Sequence, residues 1–119
     1  MSAPVLTVDV SEAQPGGVCV LALTGKLDPL AAEEVEAVVK REHAAGHRRF
    51  VFDLTKLSYV GSIGLRVFVG LHNTVKHDGD VAACGLAPLV KQVFDLTRVS
   101  SVVRVYATRA DAIDAVRSR

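Results

Sequence analysis

A chain of 119 residues, half of them hydrophobic, with a net charge of +1 and no tryptophan, has the length for one domain whose core is mostly Val, Leu and Ala. Both signs of charge are spread along it, which leaves no electrostatic footprint for nucleic acid, and no apolar run approaches the roughly 20 residues that span a bilayer. The N-terminus lacks a basic region followed by an apolar segment, so no secretory leader is expected. Cys19 and Cys84 fall in strand-like apolar runs outside any C-x-x-C pair and are expected as buried, reduced thiols of an intracellular domain.

In chain order, residues 4–10 alternate, with Leu6, Val8 and Val10 on one side, which predicts a half-buried strand at a sheet edge. Pro15-Gly16-Gly17 supplies a hairpin turn. Val18 to Thr24 is a continuous apolar run, the pattern of an interior strand covered on both faces. Gly25 to Pro29 is a corner into a helix, with Asp28 as N-cap and Pro29 in the first helical position. That helix should run to about Ala45 and stop at Gly46. It buries Ala31, Val35, Val38 and Val39 and leaves Glu33, Glu36 and Lys40 in solvent. Phe50 to Leu54 predicts another buried strand, interrupted by a polar step at Thr55, Lys56 and Ser58. Ser62 to about His77 predicts a helix packed on most sides.

Asp78-Gly79-Asp80 is a turn, and Val81 to Gly85 a short strand of small residues. Ala87 to Leu96 is an amphipathic helix whose apolar stripe is Leu89, Val93 and Leu96, at i, i+4 and i+7. Val102 to Tyr106 is a last strand, and Thr108 to Asp111 resembles a capping box opening a final helix through Val116. After an opening hairpin, strands alternate with helices. The expected class is therefore α/β, one domain over residues 1–119 with a mixed, mostly parallel sheet of about five strands and four helices.

Few residue clusters carry chemistry. Tyr59 to Gly64 comes near the G-x-S-x-G of a nucleophile elbow, but the first glycine is displaced by one position and so small a domain lacks room for the triad loops. His43 and His47 have no third ligand nearby and are expected to be solvated, so no metal is expected. Neither G-x-G-x-x-G nor G-x-x-x-x-G-K-[ST] occurs, so no nucleotide cofactor is expected. Asp53 could be a phospho-acceptor, but Val18 to Lys26 supplies no acidic pair for Mg²⁺, and its carboxylate more simply anchors the next turn. Ser62 remains, where extended chain becomes helix. Its hydroxyl is suited to capping the helix, and also to carrying a phosphoryl group beside unpaired N–H groups.

The order of these motifs is similar to the STAS domain of bacterial anti-sigma factor antagonists, and the resemblance covers essentially the whole chain. Asp53-Leu54-Thr55, a short linker, then Ser62 and Gly64-Leu65 at the head of an apolar helix resemble the family's core. Leu23 to Asp28 resembles its L-x-G-E-L-D corner, while Gly85 to Ser101 and Val105-Tyr106 resemble its closing stretch. The family's D-S-S-G-L signature puts its phosphorylated serine on Ser62, its aspartate on Gly61 and its second serine on Ile63. Lys26 stands where the family has glutamate.

The resemblance implies a transcription regulator that is not an enzyme and works by partner switching in the bacterial cytoplasm. Unphosphorylated, it would bind an anti-sigma factor that is a serine kinase, so that the sigma factor is released. Phosphorylation of Ser62 would end that binding, and a phosphatase acting on phospho-Ser62 would restore it. The implied partner-binding surface contains Asp28, Gly61, Ser62, Ile63, Gly64 and Arg66, with no metal, cofactor, nucleic-acid or membrane partner. Gly61→Asp is expected to restore a family-like phosphorylation rate. The alternative is a STAS-like scaffold that is not phosphorylated, or a small-ligand-binding module.

Overall fold

Alternating side chains and a short hairpin start the sheet. β1 (Leu6–Gln14) pairs antiparallel with β2 (Val18–Leu27) and forms the sheet edge. The computed structural model describes residues 6–14 and 17–117; Pro4 and Val5 of the expected strand, and Pro15 and Gly16 of the expected turn, lie outside them. β2, β3 (Arg49–Val60), β4 (Asp80–Cys84) and β5 (Arg104–Tyr106) run parallel, and the spatial order follows the chain order.

Each parallel strand is added on the same side of the one before. Crossovers of one hand then place all the connecting helices on one face. α1 (Pro29–Ala44), α2 (Ser62–Val75) and α3 (Pro88–Leu96) lie there, on Cys19, Leu21, Leu23, Phe50, Phe52 and Val81. α4 (Arg109–Arg117) follows the last strand and covers the opposite face, where Ala112 and Val116 pack on Val18, Val20, Val51, Ala82 and Cys84. β2 alternates between these two clusters, which explains its unbroken apolar run. An aromatic column runs through this core. Phe52 meets Phe68 edge-on with ring centroids 4.7 Å apart, and Phe68 meets Phe94 at 5.6 Å. The α/β class, the mostly parallel five-stranded sheet and the four helices are as expected.

Three local expectations are corrected. β2 and β3 do not stop at Thr24 and Leu54; they continue side by side to Leu27 and Val60. Leu54, Leu57 and Val60 stay buried along this extension, and register shifts near Thr24 and between Gly25 and Lys26 absorb the change of spacing. α3 buries Val90 and Phe94, whereas Leu89 and Leu96 of the expected stripe are 71% and 76% exposed. Phe94 turns the helix this way because its ring completes the aromatic column against Phe68. Before β5 the chain makes a 3₁₀ turn, Val99–Ser101, which shortens the last strand.

Candidate functional site

The extended ends of β2 and β3 bring two helix starts to one edge of the sheet. Lys26 lies opposite Tyr59 and Leu27 opposite Val60, and the Gly61 amide donates to the Leu27 carbonyl at 3.3 Å. From this edge Asp28 launches α1: its carboxylate accepts from the Ala31 amide at 2.8 Å, as its N-cap assignment required. Gly61, extended at φ −99° and ψ 176°, is the N-cap of α2, and its carbonyl accepts from the Leu65 amide at 3.0 Å.

The expected cap role of Ser62 is therefore corrected. A cap must hold extended dihedrals, and Gly61 already does, which makes Ser62 the first helical residue. Its side chain is exposed and has no hydrogen-bond partner among the described residues. Ile63 beside it is 44% exposed. Arg66, one turn further on, is exposed and makes no ion pair among the described residues.

Gly64 is different. It is buried, and a Cβ there would lie 2.8 Å from Leu27 Cγ and 3.1 Å from the Leu27 carbonyl oxygen. The first turn of α2 therefore sits directly on the end of β2. Asp28, Gly61, Ser62, Ile63 and Arg66 come together at the carboxyl edge of the sheet, with Gly64 beneath them.

The same edge holds further exposed apolar side chains, of which motif reading took in Ile63 alone. Leu30, Ile63 and Leu89 are each the second residue of a helix that follows a strand, and all three are exposed. Tyr59 is 49% exposed and faces Leu89, Val93 and Leu96 across a groove of about 400 Å³. A second groove of about 450 Å³, lined by Leu65, Val69 and Val99, opens beside Ser62. The signal in the sequence was the repeat of a large apolar residue at the second helical position, where core packing has little use for it.

Charge elsewhere is largely committed. Asp53 accepts from the Thr55 amide at 3.0 Å and hydroxyl at 2.5 Å, so it anchors the following residues as expected. It also accepts from Arg109 at the start of α4, at 3.0 and 2.8 Å. Burial pushes the Asp53 carboxyl up, but the hydrogen bonds from Thr55 and Arg109 outweigh it and hold the group below the usual carboxylate range. Burial, helped by the Asp53 charge, pushes the Cys84 thiol up to about 11. His47 departs from the solvated state expected of it: it is half-buried, edge-on to Phe50 at 6.5 Å and 3.7 Å from the Glu42 carboxylate. Among the described residues no group of three or more His, Cys, Asp and Glu could hold a metal ion, and no helix is long and apolar enough to cross a membrane.

Known proteins match most of this chain. The profile of the STAS domain matches residues 10–112. BtrV of Bordetella bronchiseptica, whose name is that of an anti-sigma factor antagonist, is 31% identical over 103 residues, 86% of this chain and 89% of that one. RsfB of Mycobacterium tuberculosis, an anti-sigma-F factor antagonist, is 25% identical over 98% of this chain and 95% of its own. The crystal structure of an anti-sigma factor antagonist from Mycobacterium paratuberculosis superimposes with a TM-score of 0.86 at 26% identity, covering 98% of this chain and 99% of that one. With the five-stranded sheet, the helix arrangement and the Ser62 corner all in place, the chain belongs to the STAS-domain family of anti-sigma factor antagonists.

Proposed function

We propose that this protein binds an anti-sigma factor through the surface around Ser62, so that a sigma factor is released, and that phosphorylation of Ser62 ends the binding. The observation that carries the reading is the Ser62 hydroxyl, exposed in the first turn of α2 and unengaged because Gly61 takes the cap. The names of BtrV and RsfB support an anti-sigma factor as the partner. That partner is a serine kinase. It transfers the γ-phosphoryl group of ATP to Ser62 Oγ as the bond to the β-phosphate oxygen breaks, the hydroxyl proton is lost and ADP leaves.

The product carries up to about two negative charges at the head of a helix. No acidic residue stands in that first turn to repel them. Within the chain the helix N–H groups and Arg66 accommodate the charge. A partner packed on Ile63 and Tyr59 must instead desolvate it, and loses Arg66 to the phosphate. A phosphatase acting on phospho-Ser62 resets the switch. The chain itself performs no catalytic step.

An affinity pull-down with mass spectrometry, using wild type and Ser62→Asp as baits, identifies the partner and tests the surface. Wild type should retain an anti-sigma factor, and Ser62→Asp should bind it at least about tenfold more weakly. Intact-mass measurement with that partner and ATP should then show one phosphate on wild type and none on Ser62→Ala. Undiminished binding by Ser62→Asp places the docking surface elsewhere. Phosphate on Ser62→Ala removes Ser62 as the acceptor, and binding without any phosphate adduct leaves a scaffold.

A further inference from the structure

The last residues of β3 put a phenol where the Ser62 corner has no side chain of its own. A Cβ on Gly61 would lie 3.0 Å from the Tyr59 hydroxyl oxygen and 3.6 Å from two carbons of its ring, so the ring covers the glycine. Tyr59 is 49% exposed, and its hydroxyl has no partner among the described residues. Two grooves meet at this ring. One runs toward Leu89, Val93 and Leu96, and the other, about 440 Å³, is lined by Lys26, Asp28 and Ser58. Lys26, opposite Tyr59 in the sheet, makes no ion pair among the described residues. An exposed ring with a free polar tip, set between an apolar groove and a charged one, has the chemistry of an interface anchor.

We propose that Tyr59 is the specificity-determining residue of the Ser62 site. Glycine at position 61 leaves the space, the phenol fills it, and the anti-sigma factor reads the ring and hydroxyl there rather than a side chain at 61. The inference rests on the Ser62 surface being the docking site. The matching partner offers an apolar contact to the ring and an acceptor oxygen to the hydroxyl, a carboxylate being favoured by Lys26 nearby. An aspartate at 61 works against this arrangement twice, because its Cβ forces the phenol tip to give by a few tenths of an ångström and its carboxylate sets a like charge before that acceptor. Gly61→Asp therefore impairs recognition in this chain, the opposite of what the motif alone suggests.

The test compares wild type, Tyr59→Phe, Tyr59→Ala and Gly61→Asp for affinity to the purified anti-sigma factor and for KM and kcat of phosphorylation with ATP. Ser62→Asp is the control for the docking surface, and thermal melts check folding. Tyr59→Ala should weaken binding about 30-fold and Tyr59→Phe about 3- to 10-fold, each seen mainly in KM. Gly61→Asp should behave like Tyr59→Ala. Tyr59→Phe keeps the test decisive if Tyr59→Ala lowers the melting temperature. Unchanged affinity in both tyrosine variants while Ser62→Asp binds weakly overturns the inference and leaves the Ser62 switch standing. Faster phosphorylation of Gly61→Asp also overturns it. No effect from any of the Tyr59 and Ser62 substitutions overturns both readings.

Discussion

Gly64 sets the distance between the first turn of α2 and the end of β2. Its missing side chain is what allows Leu27 to lie under the helix start, since a methyl group would meet Leu27 Cγ at 2.8 Å and the backbone carbonyl at 3.1 Å. Leu27 is fully buried and its carbonyl already accepts from Gly61, so neither contact can give way without moving the corner that carries Ser62. Gly64→Ala gains helix propensity, about 1 kcal/mol. The overpacking costs about 1–3 kcal/mol and outweighs that gain. A net destabilisation of up to about 2 kcal/mol is expected in urea unfolding, together with altered Ser62 and Ile63 amide resonances. An unchanged midpoint and unchanged resonances would show that the close approach is not what positions the serine. Gly64 was visible in the sequence as part of a motif, but its reason was not: the neighbour it makes room for is 37 positions away in the chain.

At the scale of elements, α3 shows where pattern reading stops working. Pro88 to Leu96 carries apolar residues on two faces, Leu89, Val93 and Leu96 on one and Val90 with Phe94 on the other. A helical period fits either face. The packing selects the second, because Phe94 reaches Phe68 and leaves Leu89 and Leu96 at the rim beside Tyr59. Phe94→Ala should therefore cost about 3–5 kcal/mol in equilibrium unfolding, while Leu96→Ala stays within about 0.5 kcal/mol of wild type. Comparable losses in both variants would mean that the stripe faces inward after all. Element order was legible for a related reason. Asp28-Pro29 and Thr108 are caps whose chemistry is local, and both act as such, Ala31 and Asp111 donating to them at 2.8 and 3.1 Å. The extension of β3 to Val60 was not legible, because Thr55, Lys56 and Ser58 look like a break unless β2 is known to run beside them.

The molecule as a whole is layered unequally, and the two cysteines report on the two layers. Cys19 lies under α1, α2 and α3, whereas Cys84 lies under the nine-residue α4 alone. Both thiols are buried, and Cys84 is pushed up to about 11, so neither is reactive in the native state. What fastens α4, besides Ala112, Val116 and the partly buried Ile113, is polar: Arg109 grips Asp53, and Arg49 Nε donates to the Val116 carbonyl at 3.1 Å. A short helix held by one small apolar face and a half-exposed ion pair should open before the rest of the core. Cys84 should then be alkylated faster than Cys19 in mild urea, with Cys19 reacting only at the rate of global unfolding. Because the Asp53 carboxyl is held low, its contribution is present above the ordinary carboxylate pKa and is lost as pH falls through the lowered value. Labelling at about pH 8 therefore examines the intact ion pair while an exposed thiol is still reactive. Arg109→Ala should raise the Cys84 rate about fivefold, the exposed arginine limiting the loss to about 1 kcal/mol, and leave Cys19 nearly unchanged. Equal acceleration of both thiols would mean that α4 and the sheet open as one unit, and that the two faces of this fold share a single cooperative core.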